Sequence, residues 1–270
     1  MAENTQFITG QPESVLSPQL DPQTDTVLTQ KINRVISPKH FMLDSGNSLT
    51  INLISYWKEE DSTDFYGVNN LLDVASPTYV WGKVSNGVKL VAASTQYQEG
   101  GDVATFNFSS AHSWSISLWA KRATTGAAVV LMGKTNSAGS GWYFLITAAN
   151  KISLILREEA AGTSLSVQGG TNLTSTTQFY HLVMTYNGNQ APTGIKFYVN
   201  GLLETNTTND NTLGAASISN NGSFRIGQNA FPNAPFNGVI DEAAIWKNKV
   251  LTQTEIFDLY NQGEGQTMVS

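Results

Sequence analysis

WSISLWAK, residues 114–121, sets the period of this chain. Trp114, Ile116, Leu118 and Ala120 fall on one side of an extended backbone, and Ser115, Ser117, Trp119 and Lys121 on the other. An alternation of two residues belongs to a strand with one face in a core, and it is incompatible with a helix, whose faces repeat every 3.6 residues. The same reading extends outward to 53–58 (LISYWK), 87–92, 127–134, 141–148, 151–157, 164–168, 179–186, 195–199, 223–227 and 238–246. Many short strands at short spacing predict an antiparallel sandwich. Between IKFYV and LLE stands Asn200-Gly201, the pair that a two-residue type I′ hairpin selects because both central positions need positive φ. One helix closes the pattern. Thr252 and Glu255 form a capping box, Ile256, Leu259 and Tyr260 an apolar face, and Gly263 a stop.

Residues 1–50 read differently. Pro12, Pro18, Pro22 and Pro38 interrupt a Gln-, Thr- and Ser-rich stretch, the signature of an extended arm. Within it residues 24–36 place Leu28, Ile32, Val35 and Ile36 on one helical face, so a short docking helix is expected there. The organisation is therefore an arm (1–50) for anchoring or oligomerisation, a β domain (51–265) and a tail (266–270).

Composition narrows the function. The 270 residues are 40% apolar but only 13% charged, about half the usual ionic share. The surface must be rich in amides and hydroxyls, which suits a virion surface or extracellular setting and contact with sugars. A net charge of −6 with scattered Lys and Arg argues against nucleic acid. Without cysteine there is no disulfide, thiolate metal site or thiol nucleophile. The opening MAENTQFITGQPESV has neither the basic start nor the apolar stretch of a secretory signal, and no run approaches the ~18 apolar residues of a membrane span, so membrane insertion is not expected.

The order LISYWKEED (53–61), GVNNLL (67–72), GKVSNGVKLVAASTQY (82–97), WSISLWAKR (114–122), FYHLVMTYNG (179–188), IKFYVNGLL (195–203), FRIGQN (224–229) and FNGVIDEAAIWKNKVLTQTEIFDLYNQG (236–263) resembles the laminin G-like, concanavalin A-like lectin/glucanase superfamily. The resemblance covers about residues 51–265. It implies an all-β, two-sheet antiparallel jelly roll with a short C-terminal helix and, ahead of it, the N-terminal extended arm. It implies no activity, since such folds carry lectins, adhesion modules, viral surface domains and some glycosidases. Lys58 departs from the Leu-Asp-Glu that often follows Tyr-Trp in relatives, and Glu59, Glu60 and Asp61 match only approximately.

Catalysis finds little support. A glycosidase aims two carboxyl groups at one bond. Ideal strand geometry sends Asp241 and Glu242 to opposite faces, Asp241 with Ala243 and Ile245, Glu242 with Ala244 and Trp246. No Gly-x-Ser-x-Gly elbow is present, and His181 shares a face with Phe179 and Val183, as a satisfied core histidine would. Asp241 among apolar neighbours must be bonded, either directly to a loop or through calcium, with Asp61 and Asp73 as further candidate ligands. Candidate sugar-binding residues are aromatic rings and an amide: Tyr79, Trp81, Trp142, Phe231 and Asn233. The expectation is a non-enzymatic virion component whose arm meets structural protein partners, forms oligomers or larger assemblies, and displays a lectin-like domain to cell-surface glycans. A free lectin or adhesion module is the alternative, and a glycoside hydrolase a third.

Overall fold

The computed structural model describes residues 48–268. The expected arm, with its helix at 24–36, lies outside the described residues except for Ser48–Thr50, which form a 3-10 turn. Among the described residues the strands are β1 (Leu53–Trp57), β2 (Leu72–Val74), β3 (Thr78–Trp81), β4 (Asn86–Leu90), β5 (Tyr97–Gly101), β6 (Trp114–Arg122), β7 (Val129–Thr135), β8 (Gly141–Ile146), β9 (Ile152–Glu158), β10 (Thr163–Gly169), β11 (Tyr180–Tyr186), β12 (Ile195–Val199), β13 (Leu202–Leu203), β14 (Asn206–Asn211), β15 (Phe224–Ile226) and β16 (Gly238–Lys247). They form two antiparallel sheets. The first runs β13-β12-β11-β6-β16-β4-β3, with β1 also paired to β16; the second runs β14-β10-β9-β8-β7-β15-β5-β2.

The period-two pattern is realised in the core between the sheets. Trp114, Ile116, Leu118 and Ala120 of β6 point into it together with Leu182 and Met184 of β11 and Leu154 and Leu156 of β9. Aromatic rings fill its centre: Trp114 lies 4.5 Å from Phe108 and 4.9 Å from Trp142, centroid to centroid. The Asn200-Gly201 hairpin has the expected backbone, with φ of 52° and 79°.

Strand β6 departs from expectation because its outer face is covered as well. The cover is α1 (Gln253–Tyr260) and the segment after it, which close a second apolar cluster of Leu49, Tyr56, Val183, Tyr198, Trp246, Ile256, Leu259 and Met268. Thr252 caps α1 with the full capping box. The stop comes earlier than Gly263: Asn261, at φ 45°, takes the left-handed conformation. Asn is one of the few side chains that tolerates that region.

Candidate functional site

Strand β16 is shared by three neighbours, and this creates the site. On one edge it pairs with β6 along its length. On the other edge its first residues pair with β4 (Ile240 opposite Val88) and its later ones with β1 (Ala243 opposite Trp57). Between those two partners lie Asp241 and Glu242. The β16–β6 register slips here, Asp241 facing Trp119 and Ala244 facing Ser117, so β16 holds one extra residue. Glu242 absorbs it with φ of 50°, the geometry of a β-bulge.

The bulge overturns the expected divergence of the two acids. Ile240 points into the inter-sheet core, yet so do Ala243 and Ile245, while Ala244 and Trp246 face outward. The alternation has changed phase across Asp241 and Glu242, and both carboxyl groups lie on the outer side. They are buried, and each is bonded to the scaffold. Asp241 Oδ2 accepts hydrogen bonds from the amides of Lys83 (2.6 Å) and Val84 (2.8 Å) in the β3–β4 turn. Gly82 makes that approach possible, because a Cβ there would stand 2.4 Å from Asp241 Oδ2. Glu242 accepts from the Tyr56 hydroxyl and, at 3.2 Å, from Thr267, while Met268 N donates to Tyr56 Oη at 3.3 Å. Burial pushes the Asp241 carboxyl up to about 7. Burial and the adjacent Asp241 charge raise Glu242 well above the carboxylate range.

Glu59, an approximate match to the family pattern, is not among the candidate site residues expected from the sequence. It stands two residues after the end of β1, turns the chain with φ of 62°, and is completely buried. Burial first, then the Asp241 charge, holds its carboxyl well above the usual range. Asp61 and Asp73 lie within electrostatic reach of it, but they do not converge with Asp241 on one point. Asp61 is exposed and accepts from Thr63 N at 2.8 Å; Asp73 accepts from the Tyr79 hydroxyl at 2.7 Å and from Gln98 Nε2 at 3.1 Å. Among the described residues no group of three acidic, His or Cys side chains gathers as a metal centre. The nearby acid with the most bonds is Asp64, which takes the amides of Tyr56, Tyr66, Gly67 and Asn69 and ties the loop after β1 together.

His181 is a core residue, satisfied on one nitrogen only. Nε2 lies 2.9 Å from Ser117 Oγ, the ring is tilted against Trp119 and stacked beside Tyr260, and Nδ1 has no partner. Burial lowers its pKa to about 3.

The expected sugar-binding rings are dispersed. Trp142 is in the central core, its Nε1 donating to Phe106 O at 3.0 Å, and so cannot present a face to a ligand. Tyr79 is half-buried with its hydroxyl committed to Asp73. Trp81, at the end of edge strand β3, is 83% exposed. Phe231 and Asn233 sit in the loop following β15; Phe231 is 39% exposed beneath the Arg157 guanidinium, and Asn233 Oδ1 accepts from Gln228 Nε2 at 2.7 Å.

Two antiparallel sheets and a bulged last strand clamped by a turn define a jelly-roll sandwich. Residues 94–257 match the model of the concanavalin A-like lectin/glucanases superfamily, and the chain belongs to that family. Solved structures share the fold. The binding domain of Paraclostridial Mosquitocidal Protein 1 aligns with a TM-score of 0.61 at 17% identity, over 80% of this chain and 53% of that one. Domain 4 of AbnA, a GH43 extracellular arabinanase from Geobacillus stearothermophilus, solved with arabinotriose, aligns with a TM-score of 0.57 at 19% identity, over 80% and 98%. A structure titled for the dependence of botulinum neurotoxin type C cell entry on two ganglioside molecules aligns at 0.55 and 16%, over 78% and 51%. The chain spans about half the length of the mosquitocidal-protein and neurotoxin chains that it matches. No curated protein matches the sequence.

Proposed function

We propose that this domain is a non-catalytic glycan-binding module with Trp81 as its principal stacking platform. The exposure of Trp81 carries the reading. Leaving a large apolar side chain in water forgoes about 2–3 kcal/mol of burial, a cost that a ligand covering the ring recovers. Sugar C–H faces suit such a ring, and Asn86, exposed and directly across from Trp81 on β4, offers an amide for hydroxyl groups. Phe231 with Asn233 and Arg157 provides a second, separate ring and amide. The arabinotriose bound to the arabinanase domain and the gangliosides named for the type C toxin support glycans as the ligand class. The burial of Asp241 and Glu242 supports a binding role over hydrolysis.

The setting belongs to the same proposal. The amide-rich, weakly charged composition and the proline-punctuated residues 1–50 support a virion component whose arm engages structural protein partners. A glycan array followed by calorimetry tests the binding. Trp81→Ala should abolish binding while leaving the melting temperature within about 1–2 °C, as expected for an exposed position. Unchanged affinity in that variant refutes the platform. Deleting residues 1–47, which keeps Leu49 in its apolar cluster, should leave glycan binding intact and abolish assembly; retained assembly refutes the anchoring role.

A further inference from the structure

We infer that the glycan of the proposed function is acidic, and that Lys83, Lys89 and Lys121 on the outer face of the first sheet receive its carboxylate or sulfate group. The inference rests on the glycan-binding reading and adds the charge of the ligand to it. Strand register gathers the cations. Lys89 of β4 lies across from Val239 of β16, and Val239 lies across from Lys121 of β6, so the two lysines flank one apolar residue. Val88, Leu90 and Ala120 point into the inter-sheet core, which sends Lys89 and Lys121 outward. Strands separated by one neighbour run about 10 Å apart, close enough for two lysine side chains to meet the same anionic group. Thr78, exposed and opposite Lys89, adds a hydroxyl. Lys83 comes from the β3–β4 turn, two residues after Trp81, and its ammonium stands 5.4 Å from the ring of Trp119. Trp119 precedes Lys121 by two residues and so shares its face.

These cations have no counter-charge of their own. The ion pairs of the described residues are Lys134–Asp102, Arg157–Glu159, Arg225–Glu99 and Lys249–Glu255, none of which includes Lys83, Lys89 or Lys121. Two of the three rest on rings instead: Lys121 lies 4.7 Å from the Phe179 centroid, as Lys83 lies over Trp119. A ring positions an ammonium group without neutralising it. The acids of β16 on this side do not cancel the charge either, since Asp241 and Glu242 are buried and burial favours their neutral forms. The chain as a whole carries −6, a field that opposes the approach of an acidic saccharide. Three uncancelled cations on one face therefore select where such a ligand docks, beside the turn that carries Trp81.

The test is an array of oligosaccharides matched in neutral, carboxylated and sulfated forms, followed by calorimetry on the full chain. The wild type should favour the acidic members by roughly two- to fivefold for each lysine engaged. That preference should fall as salt rises from about 0.05 to about 0.5 M. A triple variant, Lys83→Gln with Lys89→Gln and Lys121→Gln, should bind acidic and neutral members alike, whereas Trp81→Ala should abolish both. If the triple variant fails to fold, Lys89→Gln decides at its exposed position, with a preference lowered by roughly two- to fivefold. Equal wild-type affinity for neutral and acidic members, or a preference unchanged in the lysine variants, overturns the inference and leaves the Trp81 platform standing. A wild type that binds neither overturns both. Capture by phosphatidylserine vesicles without any preference among the saccharides assigns the face to a lipid surface and overturns it as well.

Discussion

His181 offers a quantitative test of how the outer face of the first sheet is built. Its imidazole is buried under α1, with Ser117 at Nε2 and no partner at Nδ1. Burial lowers its pKa from 6.5 to about 3. A group depressed in the folded state contributes stability that is complete above its unfolded pKa and is lost as pH falls toward the folded one. For His181 the window runs from 6.5 down to about 3. Each pH unit within it costs about 1.4 kcal/mol, so at pH 4.5 the loss is about 3 kcal/mol. The buried acids Glu59, Asp241 and Glu242 act in the opposite sense, because their pKa values are raised and they gain by protonation. Wild-type pH dependence alone would therefore mix the two effects. Comparison with His181→Gln separates them, since the acids are common to both proteins and only the wild type can protonate at residue 181. Urea unfolding of both at pH 7.5, 6.5, 5.5 and 4.5 should show a stability gap that is constant down to 6.5 and then shrinks by about 1.4 kcal/mol per unit. A gap independent of pH would refute the burial of a neutral imidazole at this position.

Two further outcomes follow from packing and capping. Trp142→Ala should cost about 3–5 kcal/mol in chemical denaturation, because it empties the centre of an aromatic cluster and orphans the Phe106 carbonyl; a loss below about 1 kcal/mol would mean that the ring is not central. Thr252→Ala should cost about 1 kcal/mol, since it removes the hydroxyl acceptor for Glu255 N at the start of α1, and Thr252→Ser should restore most of it.

How legible these features were in the sequence depends on how local their causes are. Strands β6, β8, β9 and β11 announce themselves because side chains two residues apart are buried together. Strand β14, NTTNDN, carries no such signal. Its side chains are almost all exposed, and it is a strand only because its backbone pairs with the free edge of β10. The Asn209-Asp210-Asn211 stretch closes this edge strand, with Asp210 bonded to Ser164. Trp81 and Trp142 show the same limit in side chains. Both are tryptophans near a strand end, and only the position of each strand in its sheet decides that one is bare and the other buried.

The sequence by itself determined the sandwich, its inward faces, the Asn200-Gly201 hairpin and the capped helix, because hydrophobic period, turn chemistry and capping all act within a few residues. The tertiary structure decided where Asp241 and Glu242 point. Their orientation hangs on a bulge with a glutamate at positive φ, stabilised by Tyr56 and Thr267 on Glu242 and by the Lys83 and Val84 amides on Asp241. Those partners come from three distant parts of the chain. No window of sequence contains them together, so an ideal alternation sends the two acids apart where the assembled sheet sets them side by side.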